Sequence, residues 1–167
     1  AYAKDLKLNL GTVLRQQELT PQQLWGTAVA SAHACGYGPL LGVILREASA
    51  HVEPAQIEAA KAASAIMGMN NVYYRFLHLV HHEKYSTIPA RLRMNIIRMH
   101  GIAPVDFELF CVAVSAINGC GSCVESHDKV VREKGLTEEA VLASVRIASV
   151  IHAVAKVMAA EASIGQA

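Results

Sequence analysis

The sequence predicts an all-α fold, and three observations predict it. Apolar residues recur at helical spacing with no sustained apolar-polar alternation, Ala and Leu are abundant, and prolines number only five and Phe only three. No segment reads as a strand. The chain of 167 residues, 53% hydrophobic, suits one domain covering 1–167.

Taken in order, Ala1 to Leu10 reads as a short helix or arm ending near Gly11. Thr20-Pro21-Gln22-Gln23 is an N-cap, a first-turn proline and a capping-box glutamine, and it opens a helix through Trp25, Val29 and Ala32 that Gly36 and Gly38 close. Pro39 starts a second helix through Leu41 and Ile44. Pro54 starts a longer one through Ile57, Ala60, Ala63 and Met67 toward Leu77. Met67-Gly68-Met69-Asn70-Asn71 interrupts its pattern and predicts a bend or a close helix crossing.

Ile88-Pro89 then breaks the chain before a short amphipathic helix, Arg91 to Ile97, ended by Gly101. Pro104 begins the helix Val105 to Asn118, whose apolar members include Phe107, Leu109, Phe110 and Val114, with Glu108 among them. A helix opening at Cys120 follows, capped by Gly135. Thr137-Glu138-Glu139 starts the last helix, with acids in its first turn, and this helix fades at Gly165.

A weak internal repeat relates roughly 20–84 to 105–163. Laid on one another, Leu24 meets Leu109, Ala28 meets Ala113, Cys35 meets Cys120 and Gly36 meets Gly121, so a duplicated helical unit is expected in which only the second copy holds two thiols.

A net charge of +1 and the absence of any block of Lys or Arg give no footprint for nucleic acid or an anionic membrane surface. The longest stretch without Asp, Glu, Lys or Arg, Leu19 to Leu45, contains two prolines and two glutamines, so no membrane segment is expected. No basic start precedes an apolar run with a small-residue cleavage site, and a cytoplasmic location is expected. A positive mean hydropathy of +0.28 predicts apolar surface covered between subunits, hence a homo-oligomer.

The chemistry gathers in Asn118-Gly119-Cys120-Gly121-Ser122-Cys123-Val124-Glu125-Ser126-His127. Cys120 and Cys123 lie a helical turn apart near the positive end of a helix dipole, where a thiolate is favoured, and Cys123 shares a face with His127 four residues on. A thioredoxin-type fold needs βαβ elements that this chain lacks, and covalent haem attachment needs His where Val124 stands. In a dithiol-disulfide cycle, His127 takes the proton of Cys123 and Glu108 orients His127. Ser122 offers a hydroxyl to a sulfur or merely starts the helix.

Zinc held by Cys120, Cys123 and His127, with Glu108 or His152 as fourth ligand, is the alternative, and two inert buried thiols a third reading. His78, His81 and His82 beside Glu83 lack a Cys or second carboxylate and read as a solvated helix end, with no metal assigned. Cys35 and Cys111 read as core residues.

Met67-Gly68-Met69-Asn70-Asn71-Val72-Tyr73-Tyr74-Arg75, Leu92-Arg93-Met94-Asn95-Ile96-Ile97, Phe107-Glu108-Leu109 and the run from Ala113 through Cys120 and Cys123 to His127 resemble the alkyl hydroperoxidase D group of the carboxymuconolactone decarboxylase family. The likeness spans nearly the whole chain. It implies a duplicated all-α fold, a homotrimer and a lipoyl-dependent alkyl hydroperoxide reductase with no bound cofactor. Electrons would come from dihydrolipoamide on a lipoylated 2-oxoacid dehydrogenase component, recharged by dihydrolipoamide dehydrogenase, and would pass to a peroxiredoxin partner or directly to peroxide. Residue by residue, it implies that Cys120 and Cys123 are the redox-active disulfide, His127 the base and Glu108 the proton-relay acid. Ser122 stands where well-known members carry His. A ring-opening decarboxylase of the wider family, independent of the thiols, is the rival enzyme, and a zinc-stabilised helical module the rival without activity.

Overall fold

The computed structural model describes residues 2–165, and among these every regular element is helical: α1 Lys4–Val13, α2 Pro21–Cys35, α3 Gly38–Ala48, α4 Pro54–Leu79, α5 Glu83–Ser86, a 3-10 turn Asn95–Arg98, α6 Pro104–Asn118, α7 Gly121–Glu133 and α8 Glu138–Ile164. The all-α expectation holds. The boundaries follow from local chemistry. Thr20 caps α2 through a complete capping box with Gln23, Thr137 accepts from the Ala140 amide at the start of α8, and Pro21, Pro39, Pro54 and Pro104 occupy first-turn positions where their missing N–H costs nothing.

α2, α4, α6 and α8 pack around one core, with α1 against α8 and α7 across α6 and α4. Phe107, Leu109, Phe110, Val29, Met67, Ile147 and Ile151 are fully buried within it. α8 has the length and composition of a membrane span, but its Val141, Ile147 and Ile151 are spent on this core. The helices come close because the contact positions are small: Ala59, Ala60 and Ala63 on α4, Ala28 and Ala32 on α2.

Gly26 is the tightest case. A Cβ there would lie 2.0 Å from Cζ of Phe110, so α2 crosses α6 with the Phe110 ring against bare backbone. Alanine in an open helix position is about 1 kcal/mol better than glycine, but overpacking a rigid ring costs about 1–3 kcal/mol and more when backbone must shift. Gly26→Ala is therefore expected to lose about 2 kcal/mol and lower the melting midpoint by about 4–8 °C, read by thermal unfolding.

Two buried polar links tie the halves together. Asp106, at the start of α6, accepts from Gln23 Nε2 on α2 at 3.0 Å and from Gln56 Nε2 on α4 at 3.5 Å. Asn71 on α4 donates to Ser115 Oγ on α6 at 2.9 Å and accepts from Asn118 Nδ2 at 2.9 Å.

Several helix boundaries differ from the sequence expectations. α1 runs through Gly11 to Val13, its end held by the Gly11 carbonyl accepting from Arg15 Nε at 2.8 Å. α4 runs unbroken through Met67–Asn71, and of the two expectations there the close helix crossing is the one found, with Asn71 donating to Ser115 on α6. The helix expected over Arg91 to Ile97 is absent: Arg91 takes φ +52°, and only Asn95–Arg98 winds, as a 3-10 turn, since so short a run after Pro89 cannot nucleate an α-helix. α5 was not anticipated.

α2, α3 and α4 have 15, 11 and 26 residues, and α6, α7 and α8 have 15, 13 and 27, in the same order. Both first helices end on a left-handed glycine, Gly36 and Gly119, and the next begin at Tyr37 and Cys120. The backbone thus pairs Cys120 with Tyr37, where the residue alignment pairs it with Cys35.

Candidate active site

The site is assembled at the junction of α6 and α7. Gly119 (φ +68°) ends α6 in a Schellman arrangement, with Cys120 N donating to Ser115 O at 3.1 Å and Gly119 N to Ala116 O at 3.2 Å. A side chain with a Cβ would strain that φ, so glycine sets where the next helix begins. Cys120 then stands at the N-cap of α7 in extended conformation, and its carbonyl takes the first bond of the helix, from Val124 N. Arg75 on α4 donates to the Asn118 carbonyl, and Asn71 holds the Asn118 side chain, so the turn is pinned from outside the motif.

Cys120 and Cys123 are joined as a disulfide with their Cα atoms 5.3 Å apart, one turn along the same helix start. Cys120 is the N-cap of α7 and Cys123 lies in its first turn, and that positive helix end favours a thiolate at either position on reduction. Ser122 Oγ lies 3.6 Å from Cys120 Sγ. Its hydroxyl is thus placed on the first sulfur rather than the second.

Burial separates the two cysteines. Cys120 is fully buried and borders a second cavity of about 430 Å³ with Glu125 and Asp128, whereas Cys123 is 6% exposed and forms part of the wall of a cavity of about 410 Å³. His127 lines the same cavity, together with Tyr74 of α4 and with Met94 and Ile97 from the segment that crosses it. His127 Nδ1 lies 2.6 Å from Glu108 Oε2, both side chains being largely buried. With Nδ1 engaged by the carboxylate, Nε2 is the atom left to exchange a proton with groups in the cavity. Glu108 reaches His127 from the facing helix α6. Cys120, Cys123, His127, Glu108 and Ser122 are therefore one cluster.

Glu108 also acts on its neighbours. His100, stacked on Phe107 with ring centroids 4.3 Å apart, has its pKa lowered by burial, with the Glu108 charge pulling it back up. Burial pushes the Cys111 thiol well above its ordinary range, and Glu108 adds to this. Burial likewise raises the Cys35 thiol, with Lys156 opposing it. Thiolate being the reactive form, Cys111 is expected to stay unlabelled by a thiol-reactive disulfide reagent at pH 8 until the chain is unfolded. Cys35, half-buried, should react only slowly. Peptide mapping after timed labelling reads both.

The residues weighed as zinc ligands have other partners in this structure. His152 Nδ1 lies 3.7 Å from Cys35 Sγ rather than at the Cys120–Cys123 pair, and Glu108 is turned to His127. Among the described residues no three His, Cys, Asp or Glu side chains converge as metal ligands. His78, His81 and His82 lie at the exposed end of α4, where His78 faces His81 and His82 faces Tyr85. Sequence reasoning missed Asn71, Ser115 and Arg75 as supports of the cysteine turn, and Tyr74, Met94 and Ile97 as its cavity wall. The only available signal was their presence in the stretches that carry the family resemblance.

An all-helical chain with a Cys-x-x-Cys disulfide at a helix start and a histidine-carboxylate pair behind it has the build of a dithiol oxidoreductase. The sequence profile of the Carboxymuconolactone decarboxylase family matches residues 84–164. Proteins named alkyl hydroperoxide reductase AhpD are similar over almost all of the chain. That of Acidobacterium capsulatum is 60% identical, covering 96% of this chain and 88% of the relative. That of Solibacter usitatus is 59% identical over 96% and 91%, and that of Maricaulis maris 55% identical over 96% and 92%. The chain belongs to the AhpD proteins of the carboxymuconolactone decarboxylase family.

Proposed function

We propose that this chain is an alkyl hydroperoxide reductase that works through a dithiol-disulfide cycle of Cys120 and Cys123, with electrons from dihydrolipoamide. The observation that carries the proposal is the shared cavity: the exposed edge of Cys123 and the free side of His127 open into one space, and Glu108 holds the other side of His127.

In the oxidising half, His127 Nε2 takes the proton of the Cys123 thiol while Glu108 supports the imidazolium that results. The thiolate attacks the terminal peroxide oxygen, the O–O bond breaks, and the leaving alkoxide recovers the proton from His127 as an alcohol. Cys123 is then a sulfenic acid. The Cys120 thiol condenses with it, forming the disulfide and releasing water. In the reducing half, a dihydrolipoamide thiolate attacks Cys123, the sulfur that the cavity reaches, and Cys120 leaves as a thiolate beside Ser122 and the helix N-terminus. The second thiol of the donor frees Cys123 and closes the lipoamide ring.

The same reading takes the donor to be a lipoylated 2-oxoacid dehydrogenase component, makes a peroxiredoxin a second electron acceptor, and places a homotrimer in the cytoplasm. Exposed Val72, Phe76 and Leu79 on α4 and Met99 beyond it supply apolar surface for assembly. The test is NADH consumption with lipoamide, dihydrolipoamide dehydrogenase and cumene hydroperoxide, with and without a peroxiredoxin. Turnover that requires both lipoamide and this chain is expected; NADH oxidation at the rate seen without the chain would refute the proposal. Ring-opening decarboxylation, the rival, has no use for the disulfide and would survive its removal.

A further inference from the structure

The segment that lends Met94 and Ile97 to the cavity of Cys123 and His127 is unevenly charged. From Lys84 to Val105 the chain has four cations, Lys84, Arg91, Arg93 and Arg98, no two adjacent, and no Asp or Glu. The whole chain carries only +1, so the remainder is net acidic. Residues 89–94 have no regular structure and their side chains alternate: Leu92 and Met94 are half-buried, Arg91 and Arg93 exposed. In the 3-10 turn that follows, Ile97 belongs to the cavity wall and Arg98 is exposed. Arg93 and Arg98 are thus each one peptide unit, about 3.8 Å between Cα atoms, from a residue of that wall. Among the described residues none of these three arginines is ion-paired, whereas Arg132 and Arg146 are. A guanidinium presents a planar fork that fits carboxylates, and here three of them have no carboxylate of their own chain.

We propose that the exposed side of residues 91–98 is the docking surface for a protein that carries the reducing dithiol on an arm and presents carboxylates around it. This rests on the dithiol cycle above and names how its electron donor is recognised. Cys123 is 6% exposed, so a reductant reaches it with a narrow arm while the body that bears the arm stays outside. Arg91, Arg93 and Arg98 meet that body, not the sulfurs. Inside, the donor dithiol closes to a cyclic disulfide as the Cys120–Cys123 bond is reduced, two electrons and two protons passing to the pair. Complementary charge of this kind acts mainly on the rate of encounter and is lost in salt. An acidic protein fits better than nucleic acid, because the rest of this chain is net negative and repels a long polyanion.

The experiment follows reduction of the oxidised protein by two donors, free dihydrolipoamide, which is uncharged, and a reduced lipoylated domain of net negative charge. Samples are acid-quenched and alkylated, and the reduced fraction is read by mass spectrometry at about 0.01 M to about 1 M salt, where the screening length falls from about 30 Å to about 3 Å. Salt is expected to slow the domain reaction about tenfold or more and to change the free-donor reaction less than about twofold. The variant Arg91→Glu/Arg93→Glu/Arg98→Glu should slow the domain reaction at low salt by at least about tenfold. It should leave reduction by free dihydrolipoamide and oxidation by cumene hydroperoxide within about twofold of wild type. The corresponding triple change to Gln should fall between, and it stands in if the reversed charges prevent folding. An unchanged domain rate in the variants would overturn the proposal, as would an equal loss with both donors or an altered elution volume on gel filtration. Binding of a single-stranded RNA that wild type shows and the variant loses would assign the face to nucleic acid instead. If free dihydrolipoamide does not reduce wild type, the dithiol reading itself fails and this surface falls with it.

Discussion

Cys123→Ser and Cys120→Ser are each expected to lower lipoamide-dependent peroxide turnover by more than about 1000-fold, and the double variant should lose no more than either alone, since residues that act as one unit are not additive. The two single variants should stop at different points. In Cys120→Ser the cavity-facing Cys123 still attacks peroxide but has no thiol to condense with, so a sulfenic acid accumulates and dimedone labels Cys123. In Cys123→Ser the remaining sulfur is fully buried, and no dimedone adduct should form. Mass spectrometry of the labelled peptide distinguishes them. An adduct on Cys120 in Cys123→Ser, with none on Cys123 in Cys120→Ser, would reverse the roles assigned here.

His127→Gln carries the second large effect. A positioned general base contributes about 100- to 10,000-fold, and without it the Cys123 thiolate must form unaided, where free cysteine has a pKa of about 8.5. kcat/KM near neutral pH should fall about 100-fold, and the deficit should shrink as pH rises, because hydroxide then does what the imidazole no longer does. Glu108→Gln keeps an acceptor for Nδ1–H but removes the charge that favours the imidazolium, so a smaller loss, about tenfold, is expected. pH-rate profiles of the three proteins decide this. A His127→Gln profile parallel to that of wild type would show that the imidazole takes no proton.

The parts of this molecule that could be read before folding are those whose cause is local. Thr20 and Gln23 close a capping box with each other, Gly119 ends α6 because its φ is left-handed, and Cys120, Cys123 and His127 share a helix whose period sets them together. In sequence Glu108 reads equally as the partner of His127 or as a surface carboxylate, and its bond to His127 joins two helices. What could not be read depends on contacts distant in sequence. Nothing around Gly26 announces Phe110, nothing around Asp106 announces Gln23 and Gln56, and nothing around Asn71 announces Ser115. The Arg91 to Ile97 segment misled because an amphipathic pattern was present, yet the run is held by what it covers rather than by its own helical bonds. In the internal repeat, matching the cysteines sets Cys120 against Cys35, whereas matching the left-handed capping glycines sets it against Tyr37.

Burial also divides the four cysteines in a way that spacing cannot. Cys111 lies in the core with its thiol pushed far up, and Cys35 is half-buried beside His152, so the reducible pair is the one at the helix start. In the proposed cycle Cys123, which lines the cavity with His127, meets the incoming molecule, and the fully buried Cys120 resolves it.

Thiol titration of the fully reduced chain before and after one equivalent of cumene hydroperoxide tests the cycle most directly. The account predicts that two thiols per chain disappear, that peptide mapping finds them joined as Cys120–Cys123, and that dihydrolipoamide restores both. An unchanged thiol count would contradict it.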